Sequence, residues 1–342
     1  MSINRDRLLY LSSSDITAAC AEVDLLKCVS DVLLDHATGA AKVGIEGVIR
    51  WSPGVGQAAR TLNMPGLLEN PAVVGTKIIN ANTGNPDRGL PRADGLTLLF
   101  DSQSARPEAI LQAAGISALR TAAVSTIAAR RLQRGAPVVL GVIGAGKIAE
   151  QHIRLMAKHL DVERVLVNDS VPERAHRLAE KLSALEDLIP HVAFAEAEDA
   201  VRDSDVIVTA TTVTKPYIPD QWITPGSLVI NVSLDDIGEE TYLRADLLYV
   251  DDWELITADS QRLLGRMARE GEITGPGQPG PAQGRSVTGT LGQLLAGTCP
   301  SRDNEAQTAL VNPFGMAIED LAVAHAIYTV AASRGLGTPL ER

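Results

Sequence analysis

The sequence predicts an α/β protein, with a doubly wound parallel sheet of Rossmann type preceded by an antiparallel β half with flanking helices. Three observations carry this. From Pro137 onward, short apolar strands alternate with helical stretches, as in a sheet buried on both faces. The turn Gly144-Ala145-Gly146-Lys147-Ile148-Ala149 follows a six-residue apolar run and opens a helix. Before Pro137, a helical stretch leads into extended segments separated by turns rich in Pro, Gly and Asn.

In chain order, Ser12, Ser13, Ser14 and Asp15 offer N-caps for a first helix. Ile16, Ala19, Cys20, Val23, Leu26, Leu33 and Leu34 fall mostly on one face of it, and Gly39 is a stop. Lys42 to Arg50 reads as strand and turn; residues 51–66 read as loop with short extended pieces. Val73 to Asn80 and Gly95 to Asp101 read as strands around the turn-rich NTGNPDRGLPRADG. Ile116 to Leu132 is the strongest central helix, with Leu119, Ala122, Ala123, Ile127, Ala128 and Leu132 on one stripe. It reads as the link between domains. Strands follow at 138–143, 164–168, 191–194, 205–210, 227–232 and 247–250. Residues 271–284 read as a mobile Gly/Pro loop, and Gly315 to Ser333 as the last helix.

At 342 residues the chain is long enough for two domains, and 45 % apolar residues supply large cores. Aromatics at 3 % and a net charge of −11 argue against a stacking or phosphate-binding surface, so nucleic acid is not an expected partner. Cys20, Cys28 and Cys299 are too scattered for a disulfide framework or a metal site, which points to a reduced, cytoplasmic setting. Neither a signal peptide nor a membrane span is expected.

The Gly-rich turn has the G-x-G-x-x-A form of a dinucleotide cradle. Gly144 permits the tight turn, Gly146 lets a pyrophosphate approach the backbone, and Ala149 lets helix and strand pack closely. The helix N-terminus adds free N–H groups and the positive end of a dipole. A second strand ends at Asn168-Asp169, 25 residues after Gly144. A carboxylate there binds both ribose hydroxyls and repels a 2′-phosphate, favouring NAD over NADP, although Arg174 or Arg177 could reach a phosphate. Thr211 and Thr212 end another sheet strand on the side where such sheets hold ligands.

The sequence has no G-x-S-x-G, H-E-x-x-H or P-loop, and its six histidines show no metal spacing. Hydride transfer to or from an amino acid needs cations for the carboxylate and a proton-transfer group near the reacting carbon. Arg50, Lys77, Arg92 and Arg120 lie in or beside apolar elements of the first half. They read equally as substrate ligands or as snorkelling or salt-bridged side chains. Asp235 and Asp236 follow a strand, where a carboxylate can reach a nicotinamide edge or be a solvated turn.

The runs VGTKIINANTGNPDRGLP, ISALRTAAVSTIAARRL, GAGKIA, INVSLDD and NPFGMAIEDLAVAH occur in an order that resembles the ornithine cyclodeaminase/μ-crystallin family across nearly the whole chain. The resemblance implies a Rossmann domain plus an α+β dimerisation and substrate domain, a homodimer, and substrate held between the domains. It implies residues 1–133 and 311–342 for the substrate domain and 134–310 for the NAD domain. By motif, Arg50, Lys77 and Arg120 match the family's substrate-carboxylate residues, Lys77 also its proton-transfer lysine, and Asp236 its acid/base aspartate, with Asp235 as fallback. Cofactor positions implied in the same way are Arg120, Lys147, Ile148, Asp169, Val232, Ser233, Pro313 and Phe314, beside Gly144, Ala145, Gly146, Thr211 and Thr212 read above from the turn and the strand end.

Leu62 stands where ornithine cyclodeaminases carry an acid, two before the Met-Pro pair, and Arg92 is an extra cation. Together they argue for an additional carboxylate on the substrate rather than a second ammonium. The runs LYLSSSDI, NPDRGLPRA, NVSLDDI and NPFGMAI are most similar to the branch that forms 2,3-diaminopropionate for siderophores and peptide antibiotics. That branch implies NAD-dependent oxidation of N-(2-amino-2-carboxyethyl)-L-glutamate to an imine, then hydrolysis. Alanine dehydrogenase, imine reductase, ornithine cyclodeaminase and a μ-crystallin-like ligand binder remain the other readings.

Overall fold

The computed structural model describes residues 7–184, 191–259 and 261–341. The described residues divide into two compact units. One runs up to Arg120 and resumes at Gly315; the other is Thr121–Phe314.

The first unit begins with β1 (Arg7–Leu11), α1 (Ser13–Cys20) and α2 (Leu25–Thr38). It continues with β2 (Ala41–Val43), β3 (Gly47–Trp51), β4 (Ala59–Leu68), β5 (Val73–Asn82), β6 (Ala93–Asp101) and β7 (Pro107–Gln112). The helix α3 (Ala113–Leu132) crosses the division at Arg120.

The second unit holds β8 (Val138–Ile143), α4 (Lys147–His159), β9 (Val162–Asn168), α5 (Pro172–Ser183), β10 (Val192–Phe194) and α6 (Ala197–Arg202). Then come β11 (Val206–Thr209), β12 (Leu228–Asn231), α7 (Glu239–Arg244), β13 (Leu247–Val250), α8 (Trp253–Ala258) and α9 (Leu263–Glu270). It closes with β14 (Ile273–Thr274), β15 (Arg285–Ser286), β16 (Gly289–Thr290), α10 (Leu291–Ala296) and β17 (Ala309–Asn312). The chain returns to the first unit with α11 (Ala317–Arg334) and β18 (Thr338–Glu341).

The first unit's sheet runs β18-β1-β7-β6-β5-β4-β2, with β3 also on β4. Every ladder is antiparallel except β1 on β7. Residues 51–66 are therefore not mainly loop, because β4 fills their second half as a ten-residue strand. Pro65 and Gly66 disguised it. Proline lacks the N–H a central strand needs, but Pro65 sits where the neighbour changes from β3, which ends its pairing at Asn63, to β2, which begins at Gly66. Only the Pro65 carbonyl is used on that side, accepting from Gly44 N–H.

One face of this sheet carries Met64, Gly66, Leu68, Val73, Gly75, Lys77, Thr97 and Leu99, all buried. Helix α11 packs on it, close enough that a Cβ on Gly75 would lie 2.6 Å from Leu321. The opposite face is less covered, with Ile49 66 % and Leu96 38 % exposed.

The second unit's sheet is parallel throughout, in the order β10-β9-β8-β11-β12-β17-β13-β16. After β8 the chain moves outward to β9 and β10, then returns to β11 on β8's other side. The order reverses there, and such a switch point opens a crevice at the strand C-termini. The six expected strands are present within two residues; β16 and β17 are additional. Residues 271–284 include β14, which pairs in parallel with β15 just after them. Among the described residues, no helix is long and apolar enough to cross a membrane.

Candidate active site

The crevice begins where β8 ends. Gly144 has φ +103°, and a Cβ there would lie 2.6 Å from the Ala210 carbonyl beyond β11, so only glycine fits. Gly146 is different. It is the N-cap of α4 in extended conformation, no side chain caps the helix, and a Cβ would meet nothing within 4 Å. The space above Gly146 is open, and the first N–H groups of α4, at Lys147 and Ile148, begin beside it. That is the shape and polarity a pyrophosphate requires.

Asp169, just past β9, is nearly buried. Its Oδ2 accepts from Ala145 N–H at 2.9 Å and its Oδ1 from Val171 N–H at 2.9 Å. A carboxylate offers about four acceptor positions, so two remain for ribose hydroxyls. Arg174 approaches Asp169 to 4.0 Å and therefore faces a carboxylate already there. Thr211 and Thr212 follow β11, and Val232 and Ser233 follow β12, at C-termini on this side of the sheet. Pro313 and Phe314 follow β17, and the Arg262 guanidinium lies 4.1 Å from the Phe314 ring centroid.

The two aspartates after β12 have different surroundings. Asp235 accepts from Leu263 N–H at 2.7 Å, at the start of α9, and pairs with Arg266 at 3.2 Å. It anchors α9. Asp236 is fully buried among hydroxyls: Thr211 Oγ1 donates to its Oδ1 at 2.7 Å, and Ser233 and Tyr217 are hydrogen-bonded to it. Burial pushes the Asp236 carboxyl above the usual carboxylate range; the Thr211 and Tyr217 hydroxyls pull it back, and the Asp235 charge adds to the rise.

In the first unit, Lys77 on β5 and Arg120 on α3 come together, 3 % and 7 % exposed. Lys77 Nζ donates to Asp320 Oδ2 at 2.7 Å. Arg120 donates to Glu319 Oε2 at 2.6 Å, and its Nε lies 3.1 Å from Asp320. Glu319 and Asp320 are fully buried in the first turn of α11, where the helix dipole favours negative charge. Two cations thus face two acids. Burial holds the Lys77 amine below its ordinary range, Asp320 opposes this, and Arg120 adds to it. Sequence reasoning missed Glu319 and Asp320. Their signal was present: two adjacent acids inside an otherwise apolar helical run.

Arg50 is not in this cluster. It stands on β3 directly opposite Arg60 of β4, which is opposite Ala81 of β5. Ala81 is four residues beyond Lys77 on the same face, or about 13 Å along the strand. Arg92, just before β6, is held below its ordinary range by loss of solvent and by the Arg60 charge. Among the described residues, none of Arg50, Arg60 and Arg92 has an ion pair or a side-chain hydrogen bond. Leu62 and Ile79 lie in register between the two cation groups.

The sequence profile of the ornithine cyclodeaminase/mu-crystallin family matches residues 14–335. The chain belongs to that family. Within it, N-((2S)-2-amino-2-carboxyethyl)-L-glutamate dehydrogenase of Staphylococcus aureus is 31 % identical, covering 99 % of both chains. The crystal structure of CmnK is 35 % identical with a TM-score of 0.87, covering 98 % of both chains. Thermococcus litoralis Delta(1)-pyrroline-2-carboxylate reductase, solved in complex with NADH and L-proline, is 27 % identical with a TM-score of 0.87, over 97 % of this chain and 100 % of that one. The ornithine cyclodeaminase fold thus extends over both units.

Proposed function

We propose that the chain is an NAD-dependent dehydrogenase that cleaves N-(2-amino-2-carboxyethyl)-L-glutamate oxidatively to 2-oxoglutarate and L-2,3-diaminopropionate. Those products would supply siderophore or peptide-antibiotic assembly in the cytoplasm. The observation that carries the substrate is the unpaired arginine group at Arg50, Arg60 and Arg92, with Leu62 rather than an acid in the row before it. Like charges directly opposite on a sheet destabilise it. An acidic protein that keeps such a pair has use for an anion there, and a carboxylate fits better than an ammonium. The likeness to the Staphylococcus aureus dehydrogenase supports the same substrate.

The residues take the following roles. Lys77 and Arg120 hold the glutamate α-carboxylate; Asp320 engages one of the three Lys77 N–H donors, leaving others to bind. Arg50, Arg60 and Arg92 hold a carboxylate farther along the sheet. With NAD bound at Gly144–Ile148 and its ribose on Asp169, the chemistry supplied there is acceptance of a hydride. Asp236 exchanges the proton. The glutamate α-carbon loses a hydride and its nitrogen a proton, giving an imine. Water adds to the imine carbon, the C–N bond breaks, and the nitrogen leaves with diaminopropionate. Asp169 favours NAD over NADP because it would repel a 2′-phosphate.

A homodimer accompanies this reading, supported by the half-exposed apolar sheet face around Ile49 and Leu96. The test is NADH absorbance with this substrate beside L-alanine, L-ornithine and L-proline. Turnover of the tricarboxylate is expected. Turnover of the others in its place would move the assignment to another branch of the family.

A further inference from the structure

We propose that Asp236 carries a proton in the resting protein, as the donor at the end of a buried hydrogen-bond chain whose direction is set by the backbone carbonyl of Asn231. The chain is read from its far end. Asn312 Nδ2 lies 2.6 Å from the Asn231 carbonyl oxygen. A carbonyl only accepts, which fixes the Asn312 amide and turns its Oδ1 to the Tyr242 hydroxyl at 2.9 Å. A hydroxyl has one hydrogen, and Tyr242 gives it to Asn312.

The Tyr242 oxygen therefore accepts from Asn231 Nδ2 at 2.9 Å, and Asn231 Oδ1 faces Thr209 at 2.6 Å. The Thr209 hydrogen goes to that oxygen. Ser233 Oγ, 2.9 Å from Thr209 Oγ1, must then donate to it. Ser233 has no hydrogen left for Oδ2 of Asp236, to which it is also bonded. The hydrogen in that last bond belongs to Asp236.

Any other arrangement leaves two oxygens in contact without a hydrogen between them. Thr209, Asn231, Tyr242 and Asp236 are fully buried, and unmatched polar atoms in such a place are costly. The other carboxyl oxygen agrees. Thr211 accepts from Val213 N–H and keeps its own hydrogen for Asp236 Oδ1. A neutral carboxyl group, accepting at Oδ1 and donating at Oδ2, satisfies both sides.

Among the described residues of this unit, the charged and titratable groups that bear on the chain are these. Asp235, tied to Leu263 N–H and Arg266, disfavours a second negative charge. The Tyr217 hydroxyl donates, under the charge of Asp169, and Arg262 bears on Tyr242. Burial works in the same direction as the chain. Ser233, Thr209, Asn231, Tyr242 and Asn312 are thus positioning residues that set the protonation state of Asp236. Joined to the function proposed above, Asp236 starts as the acid. Oxidation then rises as pH increases through its titration, and imine reduction falls.

The test is infrared spectroscopy of the full chain, with and without NAD. A protonated carboxyl band near neutral pH is expected in the wild type and absent in Asp236→Asn. Thr209→Val keeps the shape of the side chain but frees the Ser233 hydrogen for Asp236. The band should then disappear at a pH lower by about one unit or more, while Thr209→Ser keeps the wild-type titration. Absence of the band in the wild type near neutral pH, or an unchanged titration in Thr209→Val, overturns the proposal. The band is read without substrate, so its result is separate from that of the substrate panel.

Discussion

Lys77 and Arg120 share Asp320: one oxygen of that carboxylate lies 2.7 Å from Lys77 Nζ and 3.1 Å from Arg120 Nε. Asp320 on α11 therefore contacts both Lys77 and Arg120, while Glu319 beside it holds Arg120 as well. Removing one member of a buried charge group costs about 3–5 kcal/mol. Asp320→Leu should lose stability of that order in chemical denaturation. Asp320→Asn keeps the shape but removes the charge that holds the Lys77 amine up. The limb of the pH–rate profile that reports Lys77 should move to lower pH.

Gly144 and Gly146 separate folding from cofactor binding. Gly144→Ala meets the Ala210 carbonyl and a positive φ, so loss of folded protein is expected. Gly146→Ala meets no atom and should unfold at the wild-type temperature. Its added methyl occupies the space for the pyrophosphate, so calorimetric titration should show NAD affinity reduced about tenfold or more. Unchanged NAD affinity in Gly146→Ala would contradict the cradle.

His152 gives a pH signature of stability. Its Nδ1 donates to the Ile148 carbonyl at 2.8 Å and its Nε2 lies 2.8 Å from the Ser125 hydroxyl. Burial lowers its pKa from 6.5 to about 4. Between those values the unfolded chain binds a proton that the folded one does not, so stability falls as pH decreases across that window. The span corresponds to about 3 kcal/mol. Denaturation midpoints measured through the window should show this slope in the wild type and a shallower one in His152→Gln.

Arg60 offers a test of selectivity. Arg60→Gln should raise KM for N-(2-amino-2-carboxyethyl)-L-glutamate about tenfold or more, with kcat changed less, because the lost contact is to a carboxylate away from the reacting carbon. Steady-state kinetics decide this. An unchanged KM would remove Arg60 from the substrate's surroundings.

The parallel sheet was legible in the sequence because its strands are continuous apolar runs, buried on both faces. The Gly144 turn was legible because a tight turn with close packing admits few residue types. β4 was hidden by Pro65 and Gly66, whose place at a change of strand partner is a tertiary fact. Arg60 was lost with that strand. Lys77 and Arg120 stood out as cations among apolar residues, and Glu319 and Asp320 are the matching acids inside an apolar helical run. Their burial follows from packing on the sheet, which no local pattern reports. The separate surroundings of Asp235 and Asp236 depend on α9 and on the ends of β11 and β12, distant in sequence.

The most direct measurement follows NADH and 2-oxoglutarate in one sample of the protein with NAD and N-(2-amino-2-carboxyethyl)-L-glutamate. Equal amounts of both products are expected from the wild type, and neither from Asp236→Asn. NADH formed without 2-oxoglutarate, or NADH from L-alanine with none from this substrate, would contradict oxidative cleavage.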